Sequence, residues 1–325
     1  MKEVAVIGAG AFGTALAIVQ ASAGRKVWLW GRDADHIAAL EVEGCNRKYL
    51  PGIDLHDGIR PTSRLADLQG AEALILSVPA QQTSGFFEKN GAALPNAPLI
   101  LTAKGIGTKE LQMQSQIATT LMPDHPNAVL TGPGFAGEIA RLLPTALTLA
   151  CADDGISERL QKGLATPSIR LYRTSDVTGA QLGGALKNVV AIACGMAIGA
   201  GLGESARAAL MTRGFAEMVR LGEALGADRE TFAGLSGLGD LALTCGTEQS
   251  RNFAAGLALG KAGELREGVT IEGIATATAT IALASKHGVE MPIAQAVAGV
   301  LEGKTSLREA VSDLLSRPLK TEISE

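Results

Sequence analysis

The stretch Val4-Ala5-Val6-Ile7-Gly8-Ala9-Gly10-Ala11-Phe12-Gly13 decides the fold. Four apolar residues, mostly β-branched, read as a short buried strand and run directly into Gly-x-Gly-x-x-Gly. A helical pattern follows over Phe12–Ala23, with Ala15, Leu16 and Val19 on one face. Strand, tight turn and helix are the context that separates a dinucleotide-binding fingerprint from a glycine-rich turn without a ligand. Gly8 permits the turn, Gly10 lets the backbone approach a pyrophosphate, and Gly13 lets the helix lie close to the strand. The helix N-terminus adds free N–H groups and partial positive charge for phosphates.

Outward from this unit, strands are expected at Lys26–Trp30, Ala73–Val78, Leu99–Thr102, Ala128–Thr131, Ala146–Ala150 and Ile169–Tyr172, with helical segments between most of them. A Gly-, Asn- and Pro-containing loop follows the short helix Asp33–Glu41. Such alternation argues for parallel βαβ units in a doubly wound sheet. Past Ser175-Asp176 the pattern turns helical, over Val177–Leu202, Glu204–Leu225, Ser250–Leu259, Ala275–His287, Ile293–Leu301 and Ser306–Leu314. The expected fold class is α/β: a Rossmann-like dinucleotide-binding domain over 1–175, then an all-helical substrate domain over 176–325.

The chain has 325 residues, 46% hydrophobic and 19% charged, and a net charge of −4. That is a globular composition with no basic excess for nucleic acid or an anionic membrane. Cys45, Cys151, Cys194 and Cys245 form no CxxC pair, and the four histidines show no metal-ligand spacing. Free thiols in a reducing cytoplasm and no metal site are expected. The first strand begins almost at Met1, so no signal peptide is read. The apolar run Val189–Leu202 is short for a bilayer and broken by Gly195, Gly199 and Gly201, which fits a buried helix better than a membrane span.

Arg32 in Leu29-Trp30-Gly31-Arg32-Asp33 falls where an acid usually grips the ribose 2′-hydroxyl. A guanidinium can pair a 2′-phosphate and stack on adenine, which points to NADP(H), with or without use of NAD(H). The alternative leaves Arg32 in solvent and gives the ribose to Asp33.

The protein must also supply an acid or base beside a carbonyl. Lys187 precedes the apolar run Val189-Val190-Ala191-Ile192-Ala193. Burial there would lower its pKa into a useful range; a snorkelling lysine is the competing reading. Ser250 is a natural N-cap for the helix that begins Arg251-Asn252, and such a start can be an anion site or an ordinary capped end. Gly234-Leu235-Ser236-Gly237-Leu238-Gly239-Asp240 misses the GxSxG elbow and reads as a tight turn presenting Asp240. Lys104, and the segment from Gly132 to Ala136, follow strands at the carboxyl end of the sheet, where ligands of such sheets bind.

Together these pieces resemble the bacterial-type NAD(P)-dependent sn-glycerol-3-phosphate dehydrogenase family, nearly end to end. The motifs are Gly8–Thr14, Leu29–Arg32, Ala103-Lys104-Gly105, Gly132–Glu138, Leu186-Lys187-Asn188, Gly237–Thr244, Ser250-Arg251-Asn252 and Glu272-Gly273. The resemblance implies reversible reduction of dihydroxyacetone phosphate to sn-glycerol 3-phosphate for glycerophospholipid synthesis, by a cytoplasmic homodimer. It implies Lys187 as the acid/base. It places Lys104, Gly132, Lys187, Asp240, Ser250, Arg251 and Asn252 at the substrate. The cofactor falls to Gly8, Gly10, Ala11, Phe12, Gly13, Arg32, Lys104, Ala136, Arg251, Thr270 and Glu272. Two positions depart from the family: Phe12 replaces a usual Trp or Tyr, and Gly134 a usual Ser or Thr. The alternative enzyme is a ketopantoate-reductase-like 2-keto or 2-hydroxy acid reductase; a non-enzymatic nucleotide sensor would not need Lys187, Asp240 and Arg251 together.

Overall fold

The computed structural model describes residues 1–261 and 271–317; Thr270, a cofactor candidate, lies outside them. Eight strands form one sheet: β1 (Glu3–Ile7), β2 (Lys26–Trp30), β3 (Ile59–Thr62), β4 (Leu74–Leu76), β5 (Leu99–Leu101), β6 (Asn127–Thr131), β7 (Thr145–Ala150) and β8 (Ile169–Thr174). Their order is β3-β2-β1-β4-β5-β6-β7-β8. Helices α1 (Ala11–Ser22), α2 (Ala34–Glu43), α3 (Thr83–Asn90), α4 (Gln114–Leu121), α5 (Ala136–Ala140) and α6 (Asp154–Leu164) accompany the sheet. The helical half holds α7 (Val177–Gly199), α8 (Gly203–Ala224), α9 (Arg229–Ala233), α10 (Asp240–Thr244), α11 (Arg251–Gly260), α12 (Glu272–Lys286), α13 (Pro292–Leu301) and α14 (Leu307–Leu315).

All pairings are parallel except β6 with β7, which departs from a purely parallel reading. The crossover after β6 contains only the five-residue α5. At about 1.5 Å per residue it spans roughly 7.5 Å, under half the length of the strand it would have to retrace. The chain therefore re-enters the sheet from the end it left. A second departure is β3, read from sequence as part of a loop: Ile59-Arg60-Pro61-Thr62 is short, contains proline, and lies at the sheet edge, where a missing N–H is tolerated. Gly234–Asp240 likewise holds a π-helical turn over Leu235–Gly239 that leads straight into α10, where a simple tight turn was expected.

Helix α7 organises the second half. Among the described residues it is the one helix long and apolar enough to cross a membrane, yet 89% of its apolar window is buried by the protein itself. It begins at Val177, well before the apolar run, so its full length exceeds what hydropathy alone marks. Its glycines explain the burial. A Cβ on Gly195 or Gly199 would strike the backbone of α11, and one on Gly256 or Gly260 would strike that of α7. The two helices meet backbone to backbone.

Glu217 on α8 is buried and accepts N–H bonds from Ile293 (2.8 Å) and Ala294 (3.3 Å) at the start of α13. Burial lifts its carboxyl to about 7, against the pull of those two N–H groups and of Arg220 and Arg317. Between the unfolded carboxylate value and about 7, the unfolded chain gives up this proton while the folded chain keeps it. Stability contributed below that window is lost as pH rises through it. Glu217→Gln removes the titration. In thermal melts the stability of the variant relative to the parent should rise by about 3 kcal/mol between pH 4.5 and pH 8. A pH-independent difference would rule out this account.

Candidate active site

The carboxyl ends of β1 and β4 meet where the strand order reverses, the crevice in which open α/β sheets bind ligands. The glycine turn lies there. The Gly8 N–H donates to the Trp30 carbonyl at 2.8 Å, and the Ser77 N–H to the Ile7 carbonyl at 2.7 Å. Gly8 holds φ +118°, and a Cβ on it would run into the Ser77 carbonyl. A Cβ on Gly13 would strike the Gly8 carbonyl, so helix and strand are in contact, as close packing requires. A Cβ on Gly10 meets nothing within 4 Å. Gly10 therefore fronts open space at the N-cap of α1, beside half-buried Ala11 and Phe12. This is a cradle that fits a dinucleotide pyrophosphate.

Arg32, at the end of β2, is exposed, and its Nη1 donates to Gln82 Oε1 at 3.3 Å. Neighbouring Asp33 caps α2, accepting the His36 N–H at 3.1 Å. One carboxylate oxygen of Asp33 is thus committed within the protein.

Opposite the cradle the two halves join through charge. Lys187 Nζ on α7 donates to Asp240 Oδ1 (2.6 Å) and Thr244 Oγ1 (2.7 Å). Lys104 Nζ donates to Asp240 Oδ2 (2.7 Å) and to the carbonyl of Gly132 (2.9 Å). Asp240 opens α10 and is 1% exposed; Lys187 is 6% exposed, so it does not snorkel. One carboxylate between two ammonium groups leaves one net positive charge. Burial pulls Lys187 down to about 8; Asp240 opposes that shift and Lys104 adds to it. Lys104 also lies 6.0 Å from the centre of the Phe12 ring, which ties this cluster to the glycine turn. Gly184 lets α7 press against Thr131, whose hydroxyl a Cβ would strike, beside the stem of Lys104.

A chain of amides links the cluster to the helix starts. Asn188 Nδ2 donates to the Lys104 carbonyl (3.2 Å), Asn252 Nδ2 to Asn188 Oδ1 (2.9 Å), and the Gly273 N–H to Asn252 Oδ1 (3.0 Å). The N-termini of α11 and α12 therefore adjoin, and they carry Arg251 and Glu272. Ser250 is buried and caps α11, accepting the Phe253 N–H at 3.2 Å. Arg251 is exposed and enters no ion pair among the described residues. Ala136 opens α5 beside the Gly132–Phe135 loop.

Thus Lys104, Gly132, Lys187 and Asp240 are in direct contact, with Asn252 reached through Asn188. Among the described residues no hydrogen bond or ion pair joins Arg32 or Ala136 to the cluster, and Glu272 joins it only through the helix starts. Thr244 and Asn188 escaped the sequence reading as individual site residues. Thr244 stands four positions after Asp240, one turn on along α10, and that spacing was the available signal. Gly134 backs onto Ile139 and Thr145, and a Cβ there would sit 3.0 Å from Ile139 Cδ1. A serine would have to displace that neighbour, so glycine suits the local packing.

Models of the NAD-dependent glycerol-3-phosphate dehydrogenase N-terminus and C-terminus match residues 3–157 and 176–312. The chain belongs to the NAD-dependent glycerol-3-phosphate dehydrogenase family. It is 54% identical over 320 residues to a glycerol-3-phosphate dehydrogenase [NAD(P)+] of Paracoccus denitrificans (strain Pd 1222), covering 98% of this chain and all of the relative. It is 48% identical to the protein of that name from Brucella canis (strain ATCC 23365 / NCTC 10854 / RM-666), covering 98% and 99%. The crystal structure of glycerol-3-phosphate dehydrogenase from Coxiella burnetii superposes with a TM-score of 0.93 at 37% identity, over 97% of this chain and 99% of that one. Membership in the glycerol-3-phosphate dehydrogenase family over both halves favours that reading over a ketoacid reductase.

Proposed function

We propose that the protein catalyses reversible reduction of dihydroxyacetone phosphate to sn-glycerol 3-phosphate with NADP(H), and with NAD(H) to a lesser degree. The observation that carries this is the Lys187–Asp240–Lys104 cluster, buried at Lys187 and Asp240 and partly buried at Lys104, set beside the glycine turn. The turn from Gly8 to Gly13, with Ala11 and Phe12, would hold the pyrophosphate, while Ala136, Arg251 and Glu272 would complete the dinucleotide site. When bound, the nicotinamide supplies or accepts the hydride.

The protein's own groups then handle charge and protons. Lys187 Nζ gives a proton to the carbonyl oxygen during reduction and takes it back during oxidation. Near pH 7 a lysine at about 8 is mostly protonated yet able to release its proton. Lys104 polarises the same oxygen and Asp240 holds both ammonium groups in place. Thr244 fixes the direction of the Lys187 ammonium. Exposed Arg251 and the amide of Asn252, at the start of α11, receive the substrate phosphate, which a ketopantoate-like substrate lacks. The family resemblance extends this reading to glycerophospholipid synthesis, a cytoplasmic location and a homodimer.

Steady-state assays of dihydroxyacetone phosphate and ketopantoate, each with NADPH and NADH, test the proposal. Rapid turnover of the phosphate alone is expected; turnover of ketopantoate alone would overturn it. Arg32→Ala should raise KM for NADPH about tenfold, roughly one charge-assisted hydrogen bond, and leave NADH nearly unchanged. An unchanged NADPH/NADH preference would return the ribose to Asp33.

A further inference from the structure

Asn46 lies in the loop between α2 and β3, remote in sequence from the glycine turn, and is fully buried. Both of its amide hydrogens and its amide oxygen are engaged. Nδ2 donates to the Ala9 carbonyl at 3.0 Å and to Thr14 Oγ1 at 2.7 Å, and Oδ1 accepts the Tyr49 N–H at 3.2 Å. Ala9 is inside the glycine turn, and Thr14, itself fully buried, lies in the first part of α1. The loop is closed on itself by the Leu50 N–H to the Asn46 carbonyl (2.8 Å) and by the bridge between Cys45 and Asp54. One side chain thus joins the turn, the first helix and a closed loop.

The Ala9 carbonyl and the Gly10 N–H belong to one planar trans peptide, in which they point in opposite directions. Drawing the carbonyl toward Asn46 turns the N–H away from it. Among the described residues that N–H donates to no protein acceptor, and the space over Gly10 is open. Buried polar networks of this kind fix one geometry when every member is satisfied.

We infer that Asn46 is a positioning residue for the cofactor: it sets the Ala9–Gly10 peptide so that the Gly10 N–H stays free for the dinucleotide pyrophosphate. The inference rests on the reading of Gly8–Gly13 as the phosphate cradle. Because the pyrophosphate is common to both nucleotides, Asn46 acts on NADP+ and NAD+ alike, whereas Arg32 acts on NADP+ alone.

The test is calorimetric titration of the full chain with NADP+ and with NAD+, beside circular-dichroism melts. Asn46→Leu keeps the branched shape, with somewhat more volume, and removes every side-chain hydrogen bond. Its Kd should rise about tenfold for both nucleotides, by the usual worth of a buried hydrogen bond, with kcat at saturation within about threefold. Asn46→Asp cannot donate to the Ala9 carbonyl while ionised. At pH 8 it should bind as weakly as Asn46→Leu. As pH falls to 6 its buried carboxyl gains a proton and a donor, and affinity should return toward the parent. Because an ionised buried carboxylate also lowers stability, affinities are read only on protein that the melts show to be folded at both pH values, and this arm stands even where Asn46→Leu fails to fold. Unchanged Kd in a folded variant, a shift confined to NADP+, or no recovery at pH 6 would overturn the inference. If the parent chain bound neither nucleotide, the cradle reading itself would fall.

Discussion

Lys187→Met is expected to lower the rate of dihydroxyacetone phosphate reduction by about 10²–10⁴-fold, the usual range for a positioned general acid, with Kd for NADPH within about threefold. Methionine fills nearly the same buried volume, and Asp240 keeps Lys104 as its partner at 2.7 Å. The loss would therefore report the proton and not the packing. The parent enzyme should carry the matching signature in its pH profile. Reduction needs the protonated lysine, so kcat/KM in that direction should fall as pH rises above about 8. Oxidation of sn-glycerol 3-phosphate needs the free amine and should rise over the same interval and level off above it. Substantial turnover in Lys187→Met, or a profile flat through pH 8 in both directions, would remove Lys187 from the proton path.

What the sequence disclosed followed the range of each signal. The cradle was legible because strand, glycine turn and helix are contiguous, and each glycine answers a local steric demand that the structure displays. Arg32, Asp33 and the cap at Ser250 were legible for the same reason. Lys187 stood out as a charge beside an apolar run. Its partnership with Asp240 spans 53 residues and with Thr244 57, and no pattern of periodicity connects such positions. Asn46 was hidden more completely, since an asparagine in a polar loop is ordinary and only the fold brings it under Ala9. The sheet erred in the reading where tertiary context overrides local pattern. β3 survives as an edge strand despite Pro61, and β7 reverses because α5 is too short to carry the chain back.

Asp240→Asn should be the second most damaging single change, for a reason distinct from loss of an acid. Asp240 is the one anion between two ammonium groups, and among the described residues no other carboxylate pairs with Lys187 or Lys104. Asparagine keeps the shape and one acceptor but leaves two like charges, one buried and one partly buried, facing each other. Removing one partner from a buried ion pair commonly costs about 3–5 kcal/mol; here the lysine can escape part of that by losing its proton. Asp240 now holds the Lys187 pKa up, against burial and Lys104, which push it down. Without the carboxylate the pKa should fall below about 8, and the lysine would be largely neutral at pH 7. Reduction at pH 7 should then drop by about 10²-fold or more, within the range for loss of a general acid, and recover in part as pH is lowered. Its upper pH limit should move to the acid side. A variant that lost activity equally at every pH would show that Asp240 acts through geometry alone, and that the charge balance between the two lysines does not set the proton affinity of the site.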